Sequence, residues 1–471
     1  MTFLSRLRAG ASALVLMSIA APLYAESVYT PVAKDFAPVI RAASAQEGAP
    51  VYAGSNVVIT GERLVPGQEL TLMRGATVLN AEGPIVVDAE GRFRFELTLD
   101  AAAATGQQPV VVLAEKPAAA QVVNVKISPK VALSGAEKFD ITSGPVANGL
   151  YQVIHNEKTG SVYVTSAVGR LPVKVSEVTR LDAESLKVTG QVSPPEAPPS
   201  GRSGPDGGAA DPGLFAVYGL DIDRTHDRLW VSNTRQDSIA VYDAKEMALV
   251  KQFEPGTVSH GRDVVVDETR GRAYVAATRT NRIEVFDTKT LEKLEPIEIT
   301  TSRRGGQWSS MALDLDEASG ILVNVSMSSN EVAVVDLNAG SVKVLPLSGA
   351  LAASGVAYDP QEKLIFVASQ QSDNLLIVSA EDGTILHDVP VGAQPLNVTF
   401  EPVSRQAFVA NRGSGTITVV NTKGEITANL DAGSRPNQLR ADGLGTVWAV
   451  NKSLGQDDDR GNMIWRIRPS K

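Results

Sequence analysis

The chain has 471 residues, a formal net charge of −9, 43% hydrophobic and 21% charged residues, which suits folded structure rather than disorder and leaves room for two or three domains. It contains no cysteine, so disulfides, thiolate metal sites, thiol catalysis and covalent c-type haem attachment are excluded. The acidic balance argues against general nucleic-acid binding, while leaving room for a local basic face.

Residues 1–25 read as a secretory signal. Arg6 and Arg8 form a basic start, 9–21 an apolar core, and Leu23-Tyr24-Ala25 a small-residue cleavage end. An apolar run of about 13 residues falls short of the roughly 20 needed to span a bilayer. Cleavage near Ala25 and a periplasmic or secreted mature chain without a membrane span are expected.

Residues 26–49 show no period and read as a linker. Residues 50–128 change character. NVVIT, QELTLM, PIVVD, FRFELTL, PVVVLA and VVNVKI are strand candidates, with turn residues at Gly61, Pro66-Gly67, Glu82-Gly83-Pro84 and Glu90-Gly91 between them. Such a run of short strands predicts a small β-sandwich. The strings Val57-x-Ile59-x-Gly61, Pro66-Gly67 and Val87-Asp88-x-x-Gly91-x-Phe93 resemble bacterial immunoglobulin-like modules. That resemblance implies a spacer or adhesion unit.

From about residue 135 a repeat takes over. Residues 262–294, RDVVVDETRGRAYVAATRTNRIEVFDTKTLEKL, read as strand, turn, strand, loop, strand, turn, strand. In most units an aromatic residue lies seven positions after the residue that ends the first strand: Asn156 and Tyr163, Asp223 and Trp230, Asp267 and Tyr274, Asp359 and Phe366, Glu401 and Phe408. Asp316 is followed by Val323 instead, and Asp442 by Trp448, one position early. That makes seven units, spaced 40–49 residues apart from Trp230 onward. A four-stranded period of this length predicts a β-propeller, because a sheet that is apolar on both faces is buried only by radial stacking. The expected fold is therefore all-β, with a seven-bladed β-propeller over 136–471 preceded by an immunoglobulin-like β-sandwich.

The last unit stops one strand short after MIWRIRP, whereas EKFDIT at 137–142 has no partner of its own. It is expected to supply the outer strand of the seventh blade. An insertion at 193–213, with eleven of its 21 residues Pro or Gly, reads as a mobile surface loop with some polyproline character.

The repeated V-x-D…Y/F-V-A…I-x-V-x-D-T strings resemble the YVTN repeat. The order of GLDIDRTHDRLWVSNTRQDSIAVYDAKEMALV, VTFEPVSRQAFVANRGSGTITVVNT and RPNQLRADGLGTVWAVNKS…MIWRIRP is similar to YncE-type periplasmic propellers. The resemblance covers about 135–469 and omits the N-terminal module. It implies a seven-bladed, exported, non-enzymatic binding protein. Some members of that family have been associated with DNA binding and with iron-responsive envelope functions.

In a propeller, the loops entering each blade and the loops between second and third strands share one face. Here the first set contains His260, Arg262, Arg303, Arg304, Trp308, Arg435 and Asn437, and the second Arg170, Arg235, Arg279, Arg282, Arg412 and Lys452. Converging arginines favour planar anions, carboxylate or phosphate, through forked hydrogen bonds, and Trp308 could add a stacking surface. The candidate rim is His260, Arg262, Arg279, Arg282, Arg303, Arg304, Trp308, Arg412, Arg435 and Asn437. Asp237, Glu331, Asp373 and Asp457–Asp459 fall on the same face, so internal pairing is the competing reading.

Asp221, Asp314 and Arg440 lie in the first strands, facing the channel, where unpaired charge is costly. A structural ion network is the simpler reading of that trio. The four histidines, His155, His226, His260 and His387, have no metal-ligand spacing, and no G-x-S-x-G elbow is present. No cofactor and no metal are expected. The sequence points to a non-catalytic binding or assembly protein of the cell envelope, with a protein or anionic partner. The alternative is a lactonase-type hydrolase, for which His260 with Arg262 and Arg304 is the nearest constellation.

Overall fold

The computed structural model describes residue 29 and residues 33–199 and 211–470. The expected signal segment and residues 200–210 of the insertion lie outside them. Two compact units are present. One gathers 33–39, 61–93 and 111–121, and the other 40–60, 94–110 and 122–470.

In the first unit, Glu69–Arg74 pairs with Thr77–Val78, Ile85–Val86 and the end of Gly106–Ala114. Its alternation turns Leu70 and Leu72 inward, both fully buried. The buried Asn80 replaces a missing strand partner. Its Oδ1 accepts the Leu72 N–H at 2.8 Å, and its Nδ2 donates to the carbonyls of Leu70 at 3.2 Å and Gly83 at 2.8 Å. Gly91 has φ +74°, and a Cβ there would lie 2.6 Å from the Leu64 carbonyl. The turn between Val87 and Phe93 therefore needs glycine for both its conformation and its close approach.

The stretch expected to be a linker contains a strand, Val39–Ser44, which joins a three-stranded sheet with Asn56–Glu62 and Phe93–Thr98. Its alanines and serine carry little β propensity, and pairing decided its conformation instead.

The second unit contains seven four-stranded antiparallel sheets. Their first strands are Leu150–Asn156, Val217–Asp223, Gly261–Asp267, Ser310–Asp316, Ala353–Asp359, Pro395–Glu401 and Pro436–Ala441. Each first strand packs beside the next, and the seventh returns to the first. The unit is a β-propeller. The aromatic residue of the repeat sits in the second strand and fills the space between neighbouring sheets. Trp230 packs among Val264, Val266 and Phe286 of the following sheet, and the Tyr163 hydroxyl donates to the Ala244 carbonyl of the next sheet at 2.9 Å.

The seventh sheet is completed from upstream. Phe139–Pro145 pairs antiparallel with Met463–Pro469, from Phe139 opposite Pro469 to Pro145 opposite Met463. This is the role expected for the unpartnered EKFDIT segment, its first residues forming a single 3-10 turn at Ala136–Lys138. The described flanks of the insertion are held rather than loose. Glu196 bridges to Leu214, and the Ala197 N–H donates to the Gly213 carbonyl at 2.8 Å.

Candidate functional site

The first strand of each sheet is an inner edge, and its outward amides need partners. Side chains of the preceding sheet supply most of them. Gln152 Oε1 accepts the Leu220 N–H at 2.7 Å, Asp221 Oδ2 the Val266 N–H at 2.8 Å, and Asp263 Oδ2 the Leu313 N–H at 2.9 Å. Asp314 Oδ2 accepts the Tyr358 N–H at 2.7 Å, and Asn397 Oδ1 the Leu439 N–H at 2.8 Å. Gln438 Oε1 accepts the Val153 N–H at 3.0 Å, returning to the first sheet. Between the fifth and sixth sheets, Ser354 Oγ donates to the Leu396 carbonyl at 3.0 Å. Every junction of the ring is stitched by at least one such contact, and the sixth and seventh sheets add a second, from the Ala441 N–H to Thr399 Oγ1 at 3.0 Å.

The channel charges belong to this stitching. Burial, opposed by the Tyr358 N–H and by Arg440, pushes the Asp314 carboxyl up to about 6. Burial likewise raises Asp221, with Arg440 as the first opposing charge. Arg440 reaches toward the Leu220 carbonyl at 3.5 Å. Arg440 thus opposes the burial of both carboxyls by its charge, while each carboxyl is hydrogen-bonded to an amide of the next sheet.

Above the channel, the two loop sets are pinned to one another by a repeated bond. His260, Ala352, Gln394 and Arg435, each entering a sheet, take left-handed φ values of 52°, 56°, 54° and 46°. That turn aims their carbonyls at the N–H groups of Thr278, Gln370, Arg412 and Lys452, at 3.4, 3.1, 2.9 and 3.1 Å. Each acceptor enters a sheet and each donor follows that sheet's second strand, so cations from both loop sets meet at one mouth.

Five cations gather there. The Lys452 ammonium lies 4.6 Å from the ring centroid of Tyr151 and 5.8 Å from that of Tyr218. The two rings meet edge to face at 4.7 Å. Arg235 stands 6.0 Å over Tyr218, with its Nε 3.3 Å from the tyrosine hydroxyl. Burial, then the charges of Arg412, Arg262 and Arg235, bring Lys452 down to about 7. Burial, then Arg435, lowers Arg412. Among the described residues, no carboxylate pairs with Arg235, Arg262, Arg412, Arg435 or Lys452.

The acidic residues of this face are engaged elsewhere. Asp237 accepts the His260 N–H at 2.7 Å. Glu331 accepts the Ser302 N–H at 3.0 Å and the hydroxyls of Thr301 and Ser302. Asp373 takes the Gln394 N–H at 2.7 Å and the Lys126 ammonium at 2.6 Å. Asp458 accepts the Leu454 N–H at 2.7 Å, and Asp457 and Asp459 are exposed. At the other ends of the first strands the arrangement is opposite. Arg224 meets Glu157 at 2.9 Å, Arg270 meets Asp267 at 2.9 Å, and Arg405 meets Asp359 and, at 2.7 Å, Glu362.

The rim residues singled out in the sequence divide accordingly. Arg262, Arg412 and Arg435 belong to the cluster. His260 adjoins it, its imidazole lowered by burial and then by Arg279. Arg279, Arg303 and Arg304 are exposed on their loops. Arg282 is paired with Glu298 at 3.0 Å. Trp308 is not a stacking surface. It is 4% exposed in the core, with its Nε1 donating to Asn324 Oδ1 at 2.9 Å, because its indole fills the gap between the third and fourth sheets. Asn437 is buried as well, and donates to the Tyr151 carbonyl at 2.7 Å. It therefore fixes the backbone that carries a tyrosine of the cluster.

Lys452 was legible as a loop cation, but its central place was not. Tyr151, Tyr218, Arg262 and Asn437 all stand five residues before the aligned residues Asn156, Asp223, Asp267 and Asp442 of their units. Aligning that column across the repeat is the signal that links them.

No family model and no curated protein matches the chain. Solved structures do match in fold. Virginiamycin B lyase from Staphylococcus aureus superposes with a TM-score of 0.53 at 14% identity, covering 70% of this chain and all of the lyase. The WD40 repeats of RRP9 give 0.54 at 10% identity, over 72% of this chain and all of theirs. Hydrazine synthase from Kuenenia stuttgartiensis gives 0.51 at 17% identity, over 64% of this chain and 92% of that one. The likeness extends to propellers of a lyase and of a WD40 protein alike. It establishes the β-propeller fold and no one activity. Among the described residues, no helix is long and apolar enough to cross a membrane, and no group of His, Asp and Glu is arranged to hold a metal ion.

Proposed function

We propose that this is an exported binding protein of the cell envelope whose propeller takes an anionic ligand, or the anionic group of a partner, at the mouth of its channel. One observation carries the reading. Lys452 and Arg235 lie over two tyrosine rings with Arg262, Arg412 and Arg435 crowded beside them, and among the described residues none of the five has a carboxylate partner, while arginines at the opposite ends of first strands are paired. Crowding like charges is unfavourable in the free protein, and an arriving anion relieves it. Arginine forks suit carboxylate or phosphate, and the tyrosines add an apolar floor.

In this reading the seven-bladed ring is of the YncE type, and the strands before it form an immunoglobulin-like spacer. The signal-like residues 1–25 direct export. The WD40 neighbours favour a binding or assembly role without specifying a partner.

The test measures stabilisation by inorganic phosphate or citrate. A ligand at a hundred times its Kd raises stability by about 2.7 kcal/mol. The double variant Arg262→Ala/Arg412→Ala should weaken binding at least about tenfold, since each charge-assisted bond contributes about 1.5–3 kcal/mol. Equal affinity of wild type and variant, both folded, overturns the site. Duplex DNA is a separate arm. Retention that falls steeply with salt and disappears in the variant would identify a phosphate-backbone partner.

A further inference from the structure

Lys452 is the cation of the cluster set most directly on the aromatic faces. Its Nζ is 4.6 Å from the Tyr151 centroid and 5.8 Å from the Tyr218 centroid, and it has no carboxylate or hydrogen-bond acceptor among the described residues. Its backbone N–H is held by the Arg435 carbonyl at 3.1 Å, which fixes where the side chain starts. An ammonium group so placed is flanked by guanidinium groups of Arg412, Arg262 and Arg235 instead of by counter-ions, and burial adds to their effect. Such surroundings favour the neutral amine, which is the nucleophilic form.

We propose that Lys452 captures, as an imine, a small carbonyl compound that also carries a carboxylate, of the 2-oxo acid class, with Arg262 and Arg412 holding the carboxylate. The inference rests on the anion-binding reading of the same site. The amine lone pair adds to the carbonyl carbon, giving a carbinolamine. Loss of its hydroxyl with the remaining amine proton gives the C=N bond and one water, so no oxidant or reductant takes part. The imine then takes a proton from solvent at the open mouth. The resulting cation lies over two tyrosine faces, which attract it much as they attract the ammonium.

Reductive trapping tests this. The whole chain is incubated with glyoxylate and sodium cyanoborohydride near neutral pH, and adducts are located by peptide mass spectrometry. An ordinary lysine is only about 0.1% unprotonated there, so Lys452 should be labelled at least about tenfold more than any other lysine. Lys452→Arg keeps the charge and removes the nucleophile. It should lose the adduct while remaining folded, as its circular dichroism spectrum shows. Arg262→Ala/Arg412→Ala should abolish the preference for glyoxylate over acetaldehyde. If phosphate binds the wild type but Lys452 is labelled no more than other lysines, the imine is refuted and the anion site stands. If Lys452 is labelled equally by glyoxylate and acetaldehyde and phosphate does not bind, the anionic class falls together with the anion site.

Discussion

Replacing Asp314 by Asn tests the stitched ring through its pH dependence. The Asp314 carboxyl is held at about 6 against an ordinary 3.8, chiefly by burial. A raised carboxyl pKa means that the folded state binds more protons than the unfolded chain between those values. Its contribution to stability is therefore fully present below about pH 4 and is lost as pH rises through about 6. A shift of about two units corresponds to about 3 kcal/mol at 1.36 kcal/mol per unit. Asparagine keeps an oxygen for the Tyr358 N–H, which Asp314 accepts at 2.7 Å, and it carries no charge. Urea unfolding of both proteins at several pH values gives the difference in stability. That difference should shift in favour of the variant by roughly 3 kcal/mol between pH 4 and pH 7. Any fixed cost of the substitution is the same at each pH and drops out. A difference constant to within about 0.5 kcal/mol, or one moving against the variant, would refute the assignment of Asp314 as a buried carboxylate that resists ionisation.

Three further perturbations separate scaffold from site. Deleting residues 134–143 removes most of the strand paired with Met463–Pro469 and bares the outer edge of the seventh sheet. The loss should be about 4 kcal/mol or more in a thermal or urea melt, and an unchanged melting temperature would contradict closure by this strand. Trp308→Ala should cost about 3–5 kcal/mol as a core cavity. Trp308→Phe should cost about 1 kcal/mol for the lost bond to Asn324, and neither should alter phosphate affinity. Gly219→Ala would set a Cβ 2.6 Å from the Arg262 carbonyl and 2.7 Å from Ser232 Oγ. It should cost about 1–3 kcal/mol, and should also weaken anion binding, because the strand that must move carries Arg262.

The propeller was legible because its packing is periodic. The aromatic residue seven positions past each first strand marks the side chain that fills the space between sheets, and Trp230, Tyr274 and Phe366 are buried there. EKFDIT was legible as a strand by its lack of any other partner. The site was less legible, because side-chain type does not reveal which hydrogen bond a residue makes. Trp308 and Arg304 are close in sequence, yet the indole turns into the core while the guanidinium stays in solvent. Asp237 reads as a counter-ion for arginine and instead caps the His260 N–H. Gln152, Asp263 and Gln438 are unremarkable as letters in the sequence. Their work appears only once the ring places each beside an unpaired amide of the next sheet. The Val39–Ser44 strand was hidden for a related reason, since its pairing partners, not its own residues, made it extended.

Joining Phe139–Pro145 to Met463–Pro469 has a consequence for how the chain reaches its fold. The two strands are separated by roughly 330 residues, a distance at which loop closure is slow and comes late. A chain emerging from its N-terminal end presents the outer strand first and its partner last. Throughout that interval the edge of Phe139–Pro145 is unprotected, as is the flank of the first sheet that the seventh will cover. The vulnerable period is therefore set by the time the rest of the ring takes to appear, and it ends abruptly. Loss of Met463–Pro469 would remove an interior strand of the seventh sheet, and leave a ring that cannot shut.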